Sequence, residues 1–312
     1  MNNIVGIIIN PNAKANSRQR NLKERLEAII GDHGIVRVTR EMPDIYEVAE
    51  EFIKKKVGIL GISGGDGTMQ KTISRYIEVG GEHNLPKIAA VRGGTMNTIA
   101  NSMQIKGSTE GIISRIMDRI RNRKHLECKE IDLMKADRKE YGSLFGIGFS
   151  YNFLDAYYEG GKAGPCKAVK VIGRCVGSVM VGGPFSRRMT DPVKAKVYLD
   201  GRQVPVSEIS AMLACTISDI GLGFKPLYRA EEKEGYFHSI TTGLSASQIV
   251  MRIPKLFLGM PIKNDLTHDD IGRDLRIEPE AGGVRYMLDG ELFNHQGPLQ
   301  LQIGPRIQVV CA

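Results

Sequence analysis

Short, wholly apolar runs alternate with amphipathic stretches through the first third of the chain. Residues 4–9 (IVGIII) predict a buried strand, after which Leu22, Leu26, Ile29 and Ile30 recur at helical spacing with Gly31 beyond them. Residues 35–39 alternate as a strand. Ile45, Val48, Ala49, Phe52 and Ile53 then mark the apolar face of a helix that Asp44 is placed to cap, with Glu47 three positions on. Apolar runs at 57–62 and 87–91 predict two further strands. Strands separated by helices imply right-handed crossovers and a parallel sheet, whose ligands gather at the carboxyl ends of the strands.

Beyond a basic helix at 109–124 the pattern changes to short alternating segments with tight turns, as in Val193, Ala195, Val197 and Leu199 before Asp200-Gly201. Segments at 143–149, 193–206, 210–217, 284–293 and 299–310 predict an antiparallel β-sandwich. The expected fold is therefore a Rossmann-like α/β domain over 1–125, followed by a β-sandwich domain over 126–312.

Two glycine turns follow strands of the first half: Ser63-Gly64-Gly65-Asp66-Gly67-Thr68 and Arg92-Gly93-Gly94-Thr95-Met96-Asn97. Each opens a helix-like stretch. Glycine reaches positive φ without steric cost, so backbone N–H groups can converge on an anion where a helix N-terminus adds partial positive charge. Asp66 would repel a bare phosphate unless Mg²⁺ stood between them, which reads as a site for a metal-bound nucleoside triphosphate. Neither turn has P-loop spacing, and Gly65-x-Gly67-x-x-Gln70 lacks the third small residue of the dinucleotide fingerprint. Asp289-Gly290, like Asp200-Gly201, is by itself a two-residue hairpin turn.

This combination resembles the GGDGT signature and downstream G-T-x-N turn of the lipid kinases that include diacylglycerol, sphingosine and ceramide kinases and their bacterial relatives. The likeness runs from Asn10-Pro11-Asn12 to Asp289-Gly290-Glu291. It implies a fold of the NAD kinase and diacylglycerol kinase type, an active site in a cleft between domains, and a chain end that sometimes packs back on the first domain. It also implies ATP and Mg²⁺ as cofactors and a lipid hydroxyl at a membrane surface as acceptor, with no nucleic-acid partner. By the same resemblance Gly64, Gly65, Gly67, Thr68, Gly94, Thr95 and Asn97 hold the nucleotide phosphates. Asn10, Asn12 and Lys14 approach the nucleotide, with Ala13-Lys14 in place of the family's Ser-Gly, and Thr39 with Arg40 lies where the nucleoside is contacted. Asp289 corresponds to the general base, and Glu291 and Asp132 to members of the metal-linked network around Asp66.

The chain departs from the pattern at Gln70-Lys71, where relatives commonly have Asn-Glu, at Thr98, where they have Asp, and at Glu231–Gly235, a poor match to a structural Mg²⁺ segment. The missing Asn-Glu also argues against NAD kinase. These departures open the alternative of a nucleotide- or lipid-binding relative without catalysis. A remote alternative is a serine hydrolase, because Gly61-Ile62-Ser63-Gly64-Gly65 satisfies G-x-S-x-G with His268 or His295 downstream.

A formal charge of +8 points to an anionic partner without choosing one. Five cysteines, odd in number and free of any C-x-x-C pair, favour reduced thiols in the cytoplasm. The apolar start lacks a basic leader and reads as a strand, and no run reaches the length of a membrane span. A lipid would then be met at the bilayer surface by peripheral association, and a homodimer is compatible with the sequence. Residues 160–190 carry Lys162, Lys167, Lys170, Arg174, Arg187 and Arg188 with no acid, and 251–263 mix apolar and basic groups similarly. Either stretch suits a membrane face or a core helix with a solvated edge.

Overall fold

The computed structural model describes residues 4–94, 97–160, 164–218 and 224–311. The chain forms two compact units, Met1–Ile131 with Pro305–Ala312, and Asp132–Gly304.

In the first unit the elements run β1 (Val5–Ile9), α1 (Leu22–Ile30), β2 (Gly34–Val38), α2 (Met42–Lys54), β3 (Ile59–Gly64), α3 (Asp66–Gly80), β4 (Lys87–Arg92), α4 (Thr98–Ser102), α5 (Thr109–Arg121) and the start of β5 (Cys128–Ala136). The four strands β2-β1-β3-β4 are parallel and adjacent in that order, and residues 305–310 add a further parallel neighbour at β4, with Val309 beside Ile88. Every residue of β1 and β3 is buried, as their unbroken apolar runs require. Helix α1 packs with α5, and α2 with α3. Small residues let the helices approach the sheet closely: a Cβ on Gly6 would meet the Phe52 ring of α2 at 2.5 Å, and one on Gly61 would come within 3.6 Å of Ile113 of α5.

Helix α2 corrects one expectation. Its N-cap is Glu41, and Asp44 is the third helical residue, reaching back to the backbone N–H of Arg40 (2.6 Å) and of Glu41 (3.2 Å). The capping box is therefore Glu41 with Asp44, not Asp44 with Glu47.

The second unit continues with β6 (Glu140–Gly142), β7 (Leu144–Gly148), α6 (Phe149–Tyr158), α7 (Pro165–Met180), α8 (Pro184–Met189), β8 (Val193–Leu199), β9 (Arg202–Gln203), β10 (Glu208–Ile209), β11 (Ala211–Cys215) and β12 (Phe237–Thr242). Then follow α9 (Ala246–Val250), α10 (Ile253–Phe257), β13 (Thr267–Gly272), β14 (Asp274–Pro279), β15 (Gly283–Leu288), β16 (Glu291–Gln296) and β17 (Leu299–Val310). One antiparallel sheet has the order β13-β12-β11-β7-β15-β16, and a second antiparallel set is β10-β8-β14-β17. Phe145, Met212, Phe237 and Leu288 of the first and Val197, Leu275, Ile277 and Leu301 of the second share one buried core, which is the packing of a sandwich. Among the described residues no helix is long and apolar enough to cross a membrane.

Candidate functional site

In the first unit β1 has β2 on one side and β3 on the other, so the winding direction reverses between β1 and β3. Chains leaving neighbouring strands in opposite directions open a crevice at their carboxyl ends, the usual ligand position of such sheets. The segments after β1 and β3 are tied together there. Asn10 donates its N–H to the Ser63 carbonyl and its Nδ2 to Thr68 Oγ1, both at 2.9 Å. Its Oδ1 accepts the N–H of exposed Asn12 at 2.9 Å.

Asn16, which the sequence reading missed, fastens the crossing. It is buried, its Nδ2 donates to the carbonyls of Asn10 and Ser63 at 2.9 Å, and its Oδ1 accepts Ser63 Oγ at 3.1 Å. No local signal marks such a residue, because its partner Ser63 lies 47 positions away. The same bonds overturn the hydrolase alternative. Ser63 is a fully buried strand residue spent on Asn16, not an exposed nucleophile at an elbow.

The two glycine turns stack backbone on backbone. Gly93 donates its N–H to the Gly64 carbonyl at 3.2 Å and accepts that of Ala15 at 3.1 Å. A Cβ on Gly94 would lie 2.2 Å from Gly65 Cα, and one on Gly93 would lie 2.7 Å from Gly64 N. None of Gly64, Gly65, Gly67, Gly93 and Gly94 has positive φ. The expectation that these glycines supply left-handed conformations is therefore corrected: close approach of two main chains demands them. The left-handed residue is Asn97 (φ 51°), whose side chain closes its own turn by accepting the Gly94 N–H and donating to the Gly94 carbonyl, each at 3.1 Å. Thr95 lies outside the described residues.

Asp66 opens α3 and holds the second turn's helix: Thr98, the first residue of α4, donates its N–H to Asp66 Oδ1 at 2.6 Å. Burial pushes the Asp66 carboxyl above its ordinary value, opposed by the Thr98 bonds. Thr98, at the position where the resemblance implies Asp, thus sets a hydrogen-bond donor against Asp66, where a second carboxylate would repel it. Gly64, Gly65, Asp66, Met69, Ala90, Val91, Arg92, Asn97 and Ala100 line a small recess beside this junction. Gly65, Asp66, Gly67 and Thr68 remain partly exposed at the start of a 15-residue helix, whose first N–H groups lack intrahelical acceptors. Lys14 is exposed, whereas Thr39 is buried with its N–H on the Ile9 carbonyl.

The donor set fits a Mg²⁺ ion that arrives with a nucleotide better than a resident one. Among the described residues no three His, Cys, Asp or Glu side chains converge to hold a metal. Mg²⁺ is commonly held by one or two carboxylates, with phosphate and water oxygens completing its octahedron.

In the second unit Asp289 occupies the turn between β15 and β16 with φ 45°, followed by Gly290 at φ 86°. Its carboxylate is buried. Oδ1 accepts Leu144 N–H at 2.8 Å and Ser143 Oγ at 3.0 Å, and Oδ2 accepts Ser143 N–H at 2.9 Å. Gly142 makes room, since a Cβ there would lie 2.8 Å from Oδ2. Glu291 begins β16 opposite Leu288 and is partly exposed. Asp132 Oδ2 accepts the N–H of Gly235 at 2.7 Å, and Glu231 accepts the N–H and hydroxyl of Ser218. The acidic 231–235 segment is thus bound up in loop bonds.

Residues 5–128 match the family described as the diacylglycerol kinase catalytic domain. A "Putative lipid kinase" of Streptococcus pneumoniae is 28% identical over 145 residues, 46% of this chain and 46% of that protein. The alignment thus spans about half the length of the relative. The structure of a "putative diacylglycerol kinase" from Bacillus anthracis superposes with a TM-score of 0.71 at 18% identity, over 99% of this chain and 97% of that one. A diacylglycerol kinase structure from the same organism gives 0.67 at 15% identity, with equal coverage. At such identities the likeness is one of fold. Over residues 5–128 the chain is thus similar to the diacylglycerol kinase catalytic domain, a likeness that implies ATP as the phosphoryl donor.

Proposed function

We propose that the chain is an ATP-dependent lipid kinase that transfers the γ-phosphoryl group to a hydroxyl of a diacylglycerol-like lipid. The observation that supports this most is the stacking of two glycine turns at the sheet's switch point, beside a helix N-terminus whose first N–H groups have no intrahelical acceptors. In this reading Gly64, Gly65, Gly67, Thr68 and Gly94 form the phosphate cradle, with Thr95 and Asn97 completing the second turn. Lys14 offsets phosphate charge, and Asn10 and Asn12 shape the adjoining loop. Thr39, being buried, contributes to a nucleoside contact through its backbone and the neighbouring Arg40. Mg²⁺ enters with ATP as part of the substrate and would neutralise charge on the phosphates; the carboxylate assigned to it in the first unit is Asp66, and the resemblance adds Glu291 and Asp132.

Asp289 receives the acceptor hydroxyl's proton as that oxygen attacks phosphorus and ADP departs. The bonds from Ser143 and Leu144 hold the carboxylate in one orientation, as a general base requires. The deciding experiment is transfer of labelled γ-phosphate from ATP and Mg²⁺ to a panel of lipids in mixed micelles. Transfer to a diacylglycerol, reduced about 100-fold or more in Asp66→Asn, is the expected result. A second reading, nucleotide binding without transfer, is motivated by Thr98 and Lys71 standing where the resemblance implies carboxylates. Tight ATP binding with no labelled lipid anywhere in the panel would establish it. The protein would work in the cytoplasm, meeting its lipid by peripheral contact.

A further inference from the structure

Two acid-free stretches of the second unit, 160–190 and 235–264, meet where α7 and α8 pack against α9. Their inner faces are ordinary core: Ala168, Val171, Cys175, Phe185 and Met189 are buried. Their ends are not. Met180 and Val181, closing α7, are 82% and 81% exposed, Met251 after α9 is 70% exposed, and Leu258 after α10 is 72% exposed, with Phe257 and Met260 partly so. Large apolar side chains this exposed, recurring at the ends of α7, α9 and α10, are what a water-facing surface has no use for.

The basic residues divide into two groups. Arg188 is paired with Asp155 and Glu159, Lys167 donates to the Glu159 carbonyl, Arg174 lies over the Phe185 ring at 4.0 Å, and Arg187 reaches the Gly182 carbonyl. These hold the helices together. Lys170, Lys255 and Lys263 are exposed and make no ion pair among the described residues. Lys162 lies outside the described residues. The basic segment alone, the sequence-level candidate for a membrane face, is therefore largely committed to internal contacts, and the exposed apolar ends carry the larger part of the surface's character.

We infer that the ends of α7, α9 and α10 form a docking surface for an anionic lipid bilayer, with Met180, Val181, Met251 and Leu258 entering the acyl boundary and Lys170, Lys255 and Lys263 meeting headgroup phosphates. Charge complementarity selects this occupant. No Asp or Glu occurs in either stretch to oppose an anionic surface, and apolar tips beside lysines match the interfacial mode of membrane binding. The inference rests on the lipid-kinase reading only for its purpose, because the surface binds whether or not phosphate is transferred.

The chain contains no tryptophan. Leu258→Trp therefore places a sole indole reporter on the surface. Its emission is expected to shift to the blue with vesicles of phosphatidylcholine and phosphatidylglycerol, less so with phosphatidylcholine alone, and less at high salt. Cosedimentation of the full chain with the anionic vesicles should fall at least about tenfold in Met180→Ser/Leu258→Ser, since each burial of such a side chain is worth about a factor of ten. Transfer to a monomeric short-chain diacylglycerol should be unchanged in that variant and transfer to vesicle-borne lipid reduced. An unshifted Leu258→Trp emission with both vesicle types overturns the docking surface, as does equal cosedimentation of the parent and double variant. A dimer of the chain alone that the double variant dissolves overturns it in favour of self-association. Absence of transfer to the monomeric lipid in the parent, with vesicle binding intact, would sink the kinase reading and leave the docking surface standing.

Discussion

Asp289 and Asp200 are built into the protein in the same way. Each is a left-handed residue, at φ 45° and 48°, before a glycine in a two-residue hairpin turn. Each donates its N–H to the carbonyl of the first residue of a neighbouring strand, Asp289 to Leu144 and Asp200 to Asp274. Each also takes back, on its carboxylate, the N–H groups of that residue and the one before it: Leu144 and Ser143, or Asp274 and Arg273. The difference is in the oxygens. Asp200 uses Oδ1 for both bonds, whereas Asp289 uses both oxygens and adds Ser143 Oγ, in a buried setting.

That difference sets the outcome of amide substitution. In Asp200→Asn the remaining carbonyl oxygen can still accept both N–H groups, and the loss should be about 1 kcal/mol or less. In Asp289→Asn an NH₂ group must face the Ser143 N–H, or else the Leu144 N–H and Ser143 hydroxyl. A buried donor facing a donor should cost about 2–3 kcal/mol. Urea midpoints of the two variants check this, and equal midpoints would show that the second oxygen matters little. Any loss of transfer in Asp289→Asn must be measured where the variant is fully folded. A fall of about 100-fold in kcat with ATP binding intact is then the expected sign of the lost base.

The glycine turns separate a packing role from a ligand role. At Gly94 a Cβ would lie 2.2 Å from Gly65 Cα, so Gly94→Ala must push two main chains apart, at a cost of about 1–3 kcal/mol. At Gly65 a Cβ would meet Gly94 Cα at 3.5 Å, an ordinary contact, and φ is −93°. Gly65→Ala should fold normally and still lose ATP affinity if phosphate comes against this backbone. Thermal melting with and without ATP tests both; an unaltered ATP-induced rise in Tm for Gly65→Ala would remove Gly65 from the cradle.

What the sequence made legible follows from how local each signal is. The strands at 5–9, 59–64 and 87–92 are continuous apolar runs because both of their faces are covered, and they were readable to within two residues. Strands β12, β13 and β14, with sequences FHSITT, THDDIG and DLRIEP, escaped notice. Their polar groups look like loop residues until partners are known, as with buried His238, whose Nε2 meets Asp269 Oδ1 at 2.7 Å. The glycine turns were legible as a pair, but their reason was not, since the contact of Gly94 with Gly65 spans 29 positions. Asp66 was found because a carboxylate inside a glycine turn needs explaining; Asn16, a polar residue in a polar loop, does not.

Asn16 should behave as a structural keystone of the crevice. Asn16→Ala removes two N–H bonds, to the carbonyls of half-buried Asn10 and buried Ser63, and the acceptor of Ser63 Oγ, for a loss of about 2–3 kcal/mol. Asn16→Asp should be worse than Ala, because carboxylate oxygens would face the Asn10 and Ser63 carbonyls. Denaturation midpoints give the ranking. A variant order with Asp above Ala would mean that Asn16 acts through shape and not through its amide.

Asp66 should show that this junction is held against a stability cost. Burial raises its folded pKa above the ordinary 3.8, so Asp66 contributes most to stability below that value, where it is protonated in both states. As pH rises through the raised folded pKa the contribution is lost, because the unfolded chain ionises the group more readily. Asp66→Asn cannot ionise, and its Oδ1 can still accept the Thr98 N–H. The variant is therefore expected to melt at the parent's temperature or above it at neutral pH, with the gap closing as pH falls toward 3.8, while phosphoryl transfer drops about 100-fold or more. Parallel melting curves over this pH range, with transfer measured at neutral pH, make the test. A variant that melts well below the parent at neutral pH would falsify the claim that the carboxylate's charge is carried for function, and would make Asp66 a structural tie between the two turns.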